Sequence, residues 1–336
     1  MENGNIMGYG GSMKTFAQVA FDKGGSIHPL IIDPQYTGGL GLMNPSILND
    51  NGKLLVNLRS VNYTFYHSEE KLFQHPYGPL TYVHPENDIH LRTWNYYLEL
   101  NDNYEIEKYC KVDTSKFPDK ELWDFVGLED ARIFRWDGKL YLSGVRRDED
   151  TVGTGRMELC EIVVDNNTVK QVSQLRIQPP LDPNSYCEKN WMPILDKPYH
   201  YIKWSNPTEL VKVNPKTGES QQIFTDKQNP IDGYPRGGSQ VIPWKDGYVA
   251  ITHEVDLFKS EVGRKDAVYY HRVMFWDKKF RLQKWSKKFF IMGGHVEFCV
   301  GLTIHNDSML MTFGFQDNAA YLLKFDESVL EEFLND

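Results

Sequence analysis

The chain has 336 residues, 40% hydrophobic, 13% aromatic and 25% charged, with 37 Lys and Arg against 46 Asp and Glu and a net charge of −9. That balance fits a soluble globular chain long enough to bury a large core, and without a run of basic residues nucleic acid is not an expected partner. Cys110, Cys160, Cys187 and Cys299 lack any Cys-x-x-Cys spacing, which excludes the common zinc and redox motifs and leaves buried reduced thiols as the expectation.

The amino terminus has neither the basic nor the apolar segment of a secretory signal, and no stretch has the length to span a bilayer. A cytoplasmic location is expected. Strand signals then dominate: short β-rich runs at 53–59, 139–145, 248–252 and 309–313 are each entered by turn residues. Asn51-Gly52, Asp137-Gly138 and Asp246-Gly247 supply the positive φ that tight hairpins need. A further strand is expected at 269–276, and the one convincing helix is a short carboxy-terminal cap at 327–334. Residues 62–97, with Tyr63, Tyr66, His67, His75, His84, His90, Arg92 and Trp94, read as a long insertion, and 151–183 as a looser one.

The same phrase recurs along the chain: a polar residue, an apolar run, a tight turn, a second apolar run and another polar residue. Its copies begin at Asn44, Glu129-Asp130, Lys189-Asn190-Trp191, Arg236 and Glu297, roughly 45 to 85 residues apart. Repeated hairpins of this kind predict an all-β fold, a single-domain five-bladed β-propeller over residues 1–336 with a short carboxy-terminal helix. Counting eight residues back from Gly52, Gly138, Pro198 and Gly247 meets Asn44, Asp130, Asn190 and Ser239, all polar. Counting forward meets Arg59, Arg146, Trp204 and His253-Glu254. A hairpin brings such residues together at its open end, so a polar ring of mixed charge is expected at one mouth of the channel. The fifth copy breaks the spacing, but Glu297 and Asp317 supply carboxylates there.

Carboxylates beside cations suit glycosidic-bond chemistry, which needs a proton donor for the leaving oxygen and an activated water or an anion as nucleophile. Asp130, flanked by Glu129 and Arg132, is the acid candidate; a structural salt bridge from Asp130 or Glu129 to Arg132 is the alternative. Arg59, Lys189, Arg236, His271 and Arg272 have the chemistry to bind phosphate, or to balance buried acids. Trp191, Trp204 and Tyr270 suit either a sugar face or the core. No dinucleotide fold fingerprint, Walker loop, nucleophile elbow or zinc-protease motif is present. No cofactor is expected beyond phosphate or an activated sugar as co-substrate, and a divalent cation on paired carboxylates stays open.

At Gly127-Leu-Glu-Asp-Ala-Arg132 the chain resembles the G-x-E-D-P-R signature of the five-bladed β-mannoside phosphorylases and hydrolases, glycoside hydrolase family 130, with Ala131 in place of proline. Asn44-Pro45, Arg59 and the segment Phe313-Gly-Phe-Gln-Asp317 extend the resemblance. It implies Asp130 as general acid acting through a sugar hydroxyl, with Asn44, Arg59 and Asp317 lining the sugar or phosphate site. From Glu188 onward the phrases Glu188-Lys-Asn-Trp191, Arg236-Gly-Gly-Ser239, His253-Glu-Val255, His271-Arg272 and Glu297-Phe-Cys-Val-Gly301 are similar to propeller modules in or beside bacterial glycosyltransferases. The expected activity is cleavage of a glycosidic bond with inversion, by phosphate or water. Transfer from an activated sugar on the same site is the alternative, followed by a propeller that binds glycans without turnover and a scaffold for protein partners.

Overall fold

The computed structural model describes residues 14–66, 81–83, 86–228, 230–259 and 265–336. His67, His75 and His84 lie outside the described residues. Strands group into antiparallel quartets. The first comprises Gly41–Asp50, Lys53–Val61, Leu91–Leu100 and Ile106–Asp113; the second Glu129–Trp136, Lys139–Arg146, Arg156–Asp165 and Thr168–Gln171. A short parallel pairing of Val169 with Val112 and Lys170 with Asp113 joins these two at their outer edges. The third holds Met192–Pro193, His200–Ser205, Thr208–Val213 and Ser220–Thr225, and the fourth Ile242–Trp244, Gly247–Lys259, Lys265–Asp277 and Leu282–Trp285. The last combines Glu297–His305, Ser308–Phe315 and Ala319–Phe325 with the amino-terminal strand Ser26–Pro29 as its outer member.

The turns follow from local chemistry. Asn51 and Gly52, Asp137 and Gly138, and Asn306 and Asp307 all have positive φ, as two-residue hairpins with right-handed strand twist require. The turn before Gly247 differs from expectation, because Lys245 takes the positive φ at 51° and Gly247 does not. Glycine is needed there for space: a Cβ on Gly247 would lie 2.0 Å from the carbonyl oxygen of Trp276.

Alternating apolar residues bury each quartet against the next. Ile47, Val56 and Leu98 of the first meet Leu310 and Leu322 of the last, and Leu48, Leu55 and Tyr97 meet Ile133, Leu142 and Ile162 of the second. Phe134, Trp136 and Met157 meet Trp191, Tyr201 and Val211 of the third, whose Ile194 and Ile202 meet Val241, Ala250 and Trp276 of the fourth. Ile251 and Val273 then meet Leu302, Met311 and Phe313 of the last, which closes a ring. Each fully buried side chain of this size contributes about 1.5–3 kcal/mol by leaving water. At the axis, the buried amide of Gln240 donates to the carbonyls of Ile47 and Ile133 at 2.9 and 2.8 Å and accepts from the Leu302 amide at 3.2 Å. One side chain thus ties the innermost strands of three quartets to the fourth.

Three expectations are corrected. The insertion at 62–97 stops short of Leu91, because Leu91–Leu100 is an inner-sheet strand paired with Lys53–Val61. The segment 151–183 is about half sheet, supplying the outer strands of the second quartet. Besides the carboxy-terminal helix Ser328–Asn335 there are helices at Phe16–Asp22 and Pro34–Thr37. The first starts on a capping box in which Thr15 and Gln18 satisfy each other's amides, and it buries Phe16 and Ala20 against the last quartet. Among the described residues no helix is long and apolar enough to cross a membrane.

Candidate active site

The inner strands of the first two quartets carry matching irregularities. Met43 pairs with Arg59 but Ser46 with Asn57, and Ser143 pairs with Arg132 but Val145 with Glu129. The extra residues are Asn44-Pro45 and Asp130-Ala131, so Ala131 stands where the first bulge has proline. Asn44, Asp130 and Asn190 have φ of 47°, 50° and 60°, and Asp317 has 48°. Backbone of this kind costs about 1–3 kcal/mol per residue outside glycine and clusters where a side chain must be aimed; Asn and Asp tolerate it best. The expected hairpin-end residues of the first three quartets are therefore strained in the same way, whereas Ser239 is not: its hydroxyl accepts from Ile251 and donates to the Gln240 carbonyl.

These bulges bring Asn44, Arg59, Glu129 and Asp130 together. Asp130 Oδ1 accepts from Asn44 Nδ2 and from Arg59 Nη1, each at 2.8 Å. Arg59 Nη2 donates to the Tyr63 hydroxyl at 2.7 Å and to Thr93 Oγ1 at 3.0 Å, and lies 3.4 Å from Glu129 Oε2. Asn44 is packed against Gly314 of the last quartet, where a Cβ would fall 2.0 Å from Asn44 Oδ1; only glycine leaves it room. The Asp130 side chain keeps 17% of its surface exposed, so solvent and ligands reach it.

Arg132 does not form the salt bridge weighed as the structural alternative. Its fully buried guanidinium donates to the backbone carbonyls of Asp130 at 2.7 Å and Gly238 at 2.8 and 2.9 Å, and to Asn190 Oδ1 at 3.3 Å. It also lies 5.7 Å from the centre of the Phe298 ring. His253 Nδ1 bonds the Gly237 carbonyl at 2.9 Å, which places the proton on Nδ1 because a carbonyl only accepts. Lys189 and Arg236 are exposed at this mouth, and among the described residues neither has a carboxylate partner.

The charges set distinct proton affinities. Burial pushes the Asp130 carboxyl up, but Arg59, Arg132, the Asn44 bond and Lys189 outweigh it and hold it below the ordinary carboxylate range. Burial dominates for Glu129, which is raised despite Arg59, and pushes Asp317 up to about 7, again against Arg59 and with help from Asp130. Glu129 Oε1 is buried without a hydrogen-bond partner. Burial, reinforced by His271, Arg236, Lys189 and Arg132, lowers the His253 pKa well below its usual value, so the ring is neutral.

Asp317 gives a pH-dependent expectation. Between about pH 4, where an unfolded Asp ionises, and about 7, the folded chain holds a proton that the unfolded chain has shed. Stability therefore falls as pH rises through that window. Asp317→Asn is expected to raise Tm at pH 8 by several degrees more than at pH 4, read by scanning calorimetry. Equal shifts at both pH values would contradict it.

Several expected site residues have other work. The Glu297 carboxylate accepts the amides of Ile291, Met292 and Gly294 at 2.7, 2.7 and 2.9 Å, so it is an internal anchor for that loop. Glu297→Gln, which replaces an acceptor oxygen by a donor, is expected to cost about 1–3 kcal/mol in urea unfolding. Trp191 is buried and donates to Glu188 Oε2 at 3.1 Å within the apolar layer. Glu254 is taken by Arg272 and Lys288, and Arg272 also donates to the Ser286 carbonyl at 2.7 Å. His271 is buried, accepting the Cys299 amide at 3.3 Å, and burial lowers its pKa to about 3. Trp204 is exposed, and Arg146 sits in a buried cluster with Asp119, Asp148 and Glu158. Residues that spacing missed are Thr93 and Phe298; the signal for Phe298 was its place beside Glu297, and for Thr93 its strand position opposite Val61.

Comparison with solved structures matches this architecture over most of its length. The β-1,2-mannobiose phosphorylase of Listeria innocua is similar over 88% of this chain and 92% of its own, with a TM-score of 0.52 at 13% identity. The chain has the fold of the mannoside phosphorylases. A glycosyl hydrolase from Bacteroides ovatus aligns over 86% of this chain and 85% of its own, with a TM-score of 0.55 at 13% identity. A glycoside hydrolase of the mannoside phosphorylase family that targets β-1,2 mannosidic linkages gives 86%, 85%, 0.51 and 13% for the same measures. No family model matches the sequence, and no curated protein matches it significantly.

Proposed function

We propose that the chain is a five-bladed propeller enzyme that cleaves a β-mannosidic bond with inversion, using phosphate as nucleophile. The observation that carries this reading is Asp130, aimed by a strained bulge, gripped by Asn44 and Arg59, and within the field of Lys189, which shares the surroundings of His253 with Arg236. With its pKa held low by Arg59, Arg132, Asn44 and Lys189, Asp130 by itself is a carboxylate. Phosphate drawn to Lys189 and Arg236 brings negative charge that raises the neighbouring carboxyl's proton affinity, so the acid form assembles with the reactants. Asp130 then passes its proton towards the leaving oxygen as the anomeric C–O bond breaks, and a phosphate oxygen supplies the electron pair of the new bond. The free saccharide and an α-linked sugar 1-phosphate leave, and Asp130 takes a proton from solvent. Neutral His253, with its Nε2 lone pair, is suited to orient a sugar hydroxyl, while buried Arg132 holds the backbone carbonyl of Asp130 in place. The four cysteines are unpaired, which supports a reducing compartment such as the cytoplasm.

The test is incubation with β-1,2-mannobiose and other β-mannosides, with and without phosphate, reading sugar 1-phosphate and reducing sugar. Sugar 1-phosphate released only with phosphate is the expected result. Phosphate-independent release of reducing sugar would move the reading to hydrolysis, and nucleotide release from nucleotide sugars to transfer. No turnover in any arm would overturn it.

A further inference from the structure

An unbroken run of ring and guanidinium contacts leads outward from the carboxylates held by Arg59. Tyr63, whose hydroxyl takes Arg59 Nη2, meets Phe125 edge-on at 6.5 Å. The guanidinium of Arg147 lies 5.4 Å from the Phe125 ring centre and 5.5 Å from that of Tyr186. Arg147 thereby lies against both rings, and its charge also acts on Glu129, so the run borders the Asp130 site.

The outermost ring is held in place. Arg147 Nη2 donates to the Tyr186 hydroxyl at 2.7 Å, and Arg147 Nε to the Gly153 carbonyl at 3.0 Å. The Tyr186 carbonyl accepts the Gly155 amide at 2.9 Å. The loop beneath is pinned by Asp150 Oδ1, which accepts from Val152 and Thr154 at 3.1 and 3.0 Å. Yet Tyr186 is 55% exposed and Val152, in that loop, 59%. An exposed tyrosine fixed at its backbone and its hydroxyl offers a rigid aromatic face at almost no further ordering cost. The axial C–H groups on one face of a pyranose are the complement to such a ring.

We propose that Tyr186, braced by Arg147, is an outer saccharide subsite that receives a sugar beyond the two flanking the reacting bond, so that the enzyme favours oligosaccharides over disaccharides. This rests on the glycosidic-bond reading of the Asp130 site. The arginine also supplies donors at the ring's edge, so the subsite recognises a sugar by one apolar face and its rim hydroxyls.

The test compares KM and kcat for β-1,2-mannobiose and β-1,2-mannotriose in the wild type, Tyr186→Ala and Tyr186→Phe. Tyr186→Ala is expected to raise KM for the trisaccharide about tenfold, equivalent to about 1.4 kcal/mol, and to leave the disaccharide constants and both kcat values within twofold. Tyr186→Phe, which keeps the ring, should retain most of the trisaccharide affinity, and its Tm guards against a folding defect. Equal effects on both lengths, or none on either, with an active wild type would remove the subsite and leave the proposed function standing. A wild type that acts on neither saccharide, with or without phosphate, would remove both.

Discussion

Asp130→Asn is expected to lower kcat by roughly 10²–10⁴-fold, the span attributable to a positioned proton donor, with little change in KM. The substitution is nearly isosteric, and asparagine tolerates the left-handed backbone at φ 50° as aspartate does. Its amide oxygen still accepts from Asn44 and Arg59, which bond only Oδ1 among the contacts of the carboxylate. What disappears is the transferable proton. Steady-state kinetics with phosphate, alongside calorimetric binding of β-1,2-mannobiose, separates the two roles. A residual kcat within tenfold of wild type would assign the proton to another group, and Glu129 and Asp317, both raised in pKa, are the neighbours to test.

Arg59→Met should be the most damaging single change to stability. The guanidinium is buried and serves Asp130, Glu129, Tyr63 and Thr93 together. Methionine fills part of the volume but leaves the carboxylates of Asp130 and Glu129 without their cation, and breaking a buried pair in this way costs about 3–5 kcal/mol. The loss carries a pH signature. Without Arg59 the two carboxyls bind protons more tightly in the folded chain than in the unfolded one, so stability recovers as pH falls from 7 towards 5. Urea unfolding at the two pH values reads both effects. A cost below about 1 kcal/mol at pH 7, or no recovery on acidification, would mean that water already screens the pair.

The sheet architecture was legible because hairpin turns announce themselves locally. Asn51-Gly52 and Asp137-Gly138 fix where strands reverse, and counting back from them found Asn44 and Asp130, which the structure joins across 86 residues of sequence. The same count from Gly247 landed on Ser239, next to the axial Gln240, and the hydroxyl of Ser239 serves only the backbone. The helix at Phe16–Asp22 was also within reach, since Thr15 and Gln18 spell a capping box, but seven residues carry little periodic signal. Which partner a charge takes was not legible. Glu297 looked like a ring carboxylate, but its partners are backbone amides at 291–294, and amides leave no trace in residue identity. Arg236 and Arg272 likewise read as equals. Only the fold shows that Glu254 claims one of them and leaves the other open to solvent.

The amide of Gln240, bonded at once to Ile47, Ile133 and Leu302, acts as a stopper in the bottom of a well. On the proposed reading, reactants and products therefore share the Asp130 side of that residue. On that same reading whichever product sits deeper leaves second, and product-inhibition patterns are the measurement that records the queue.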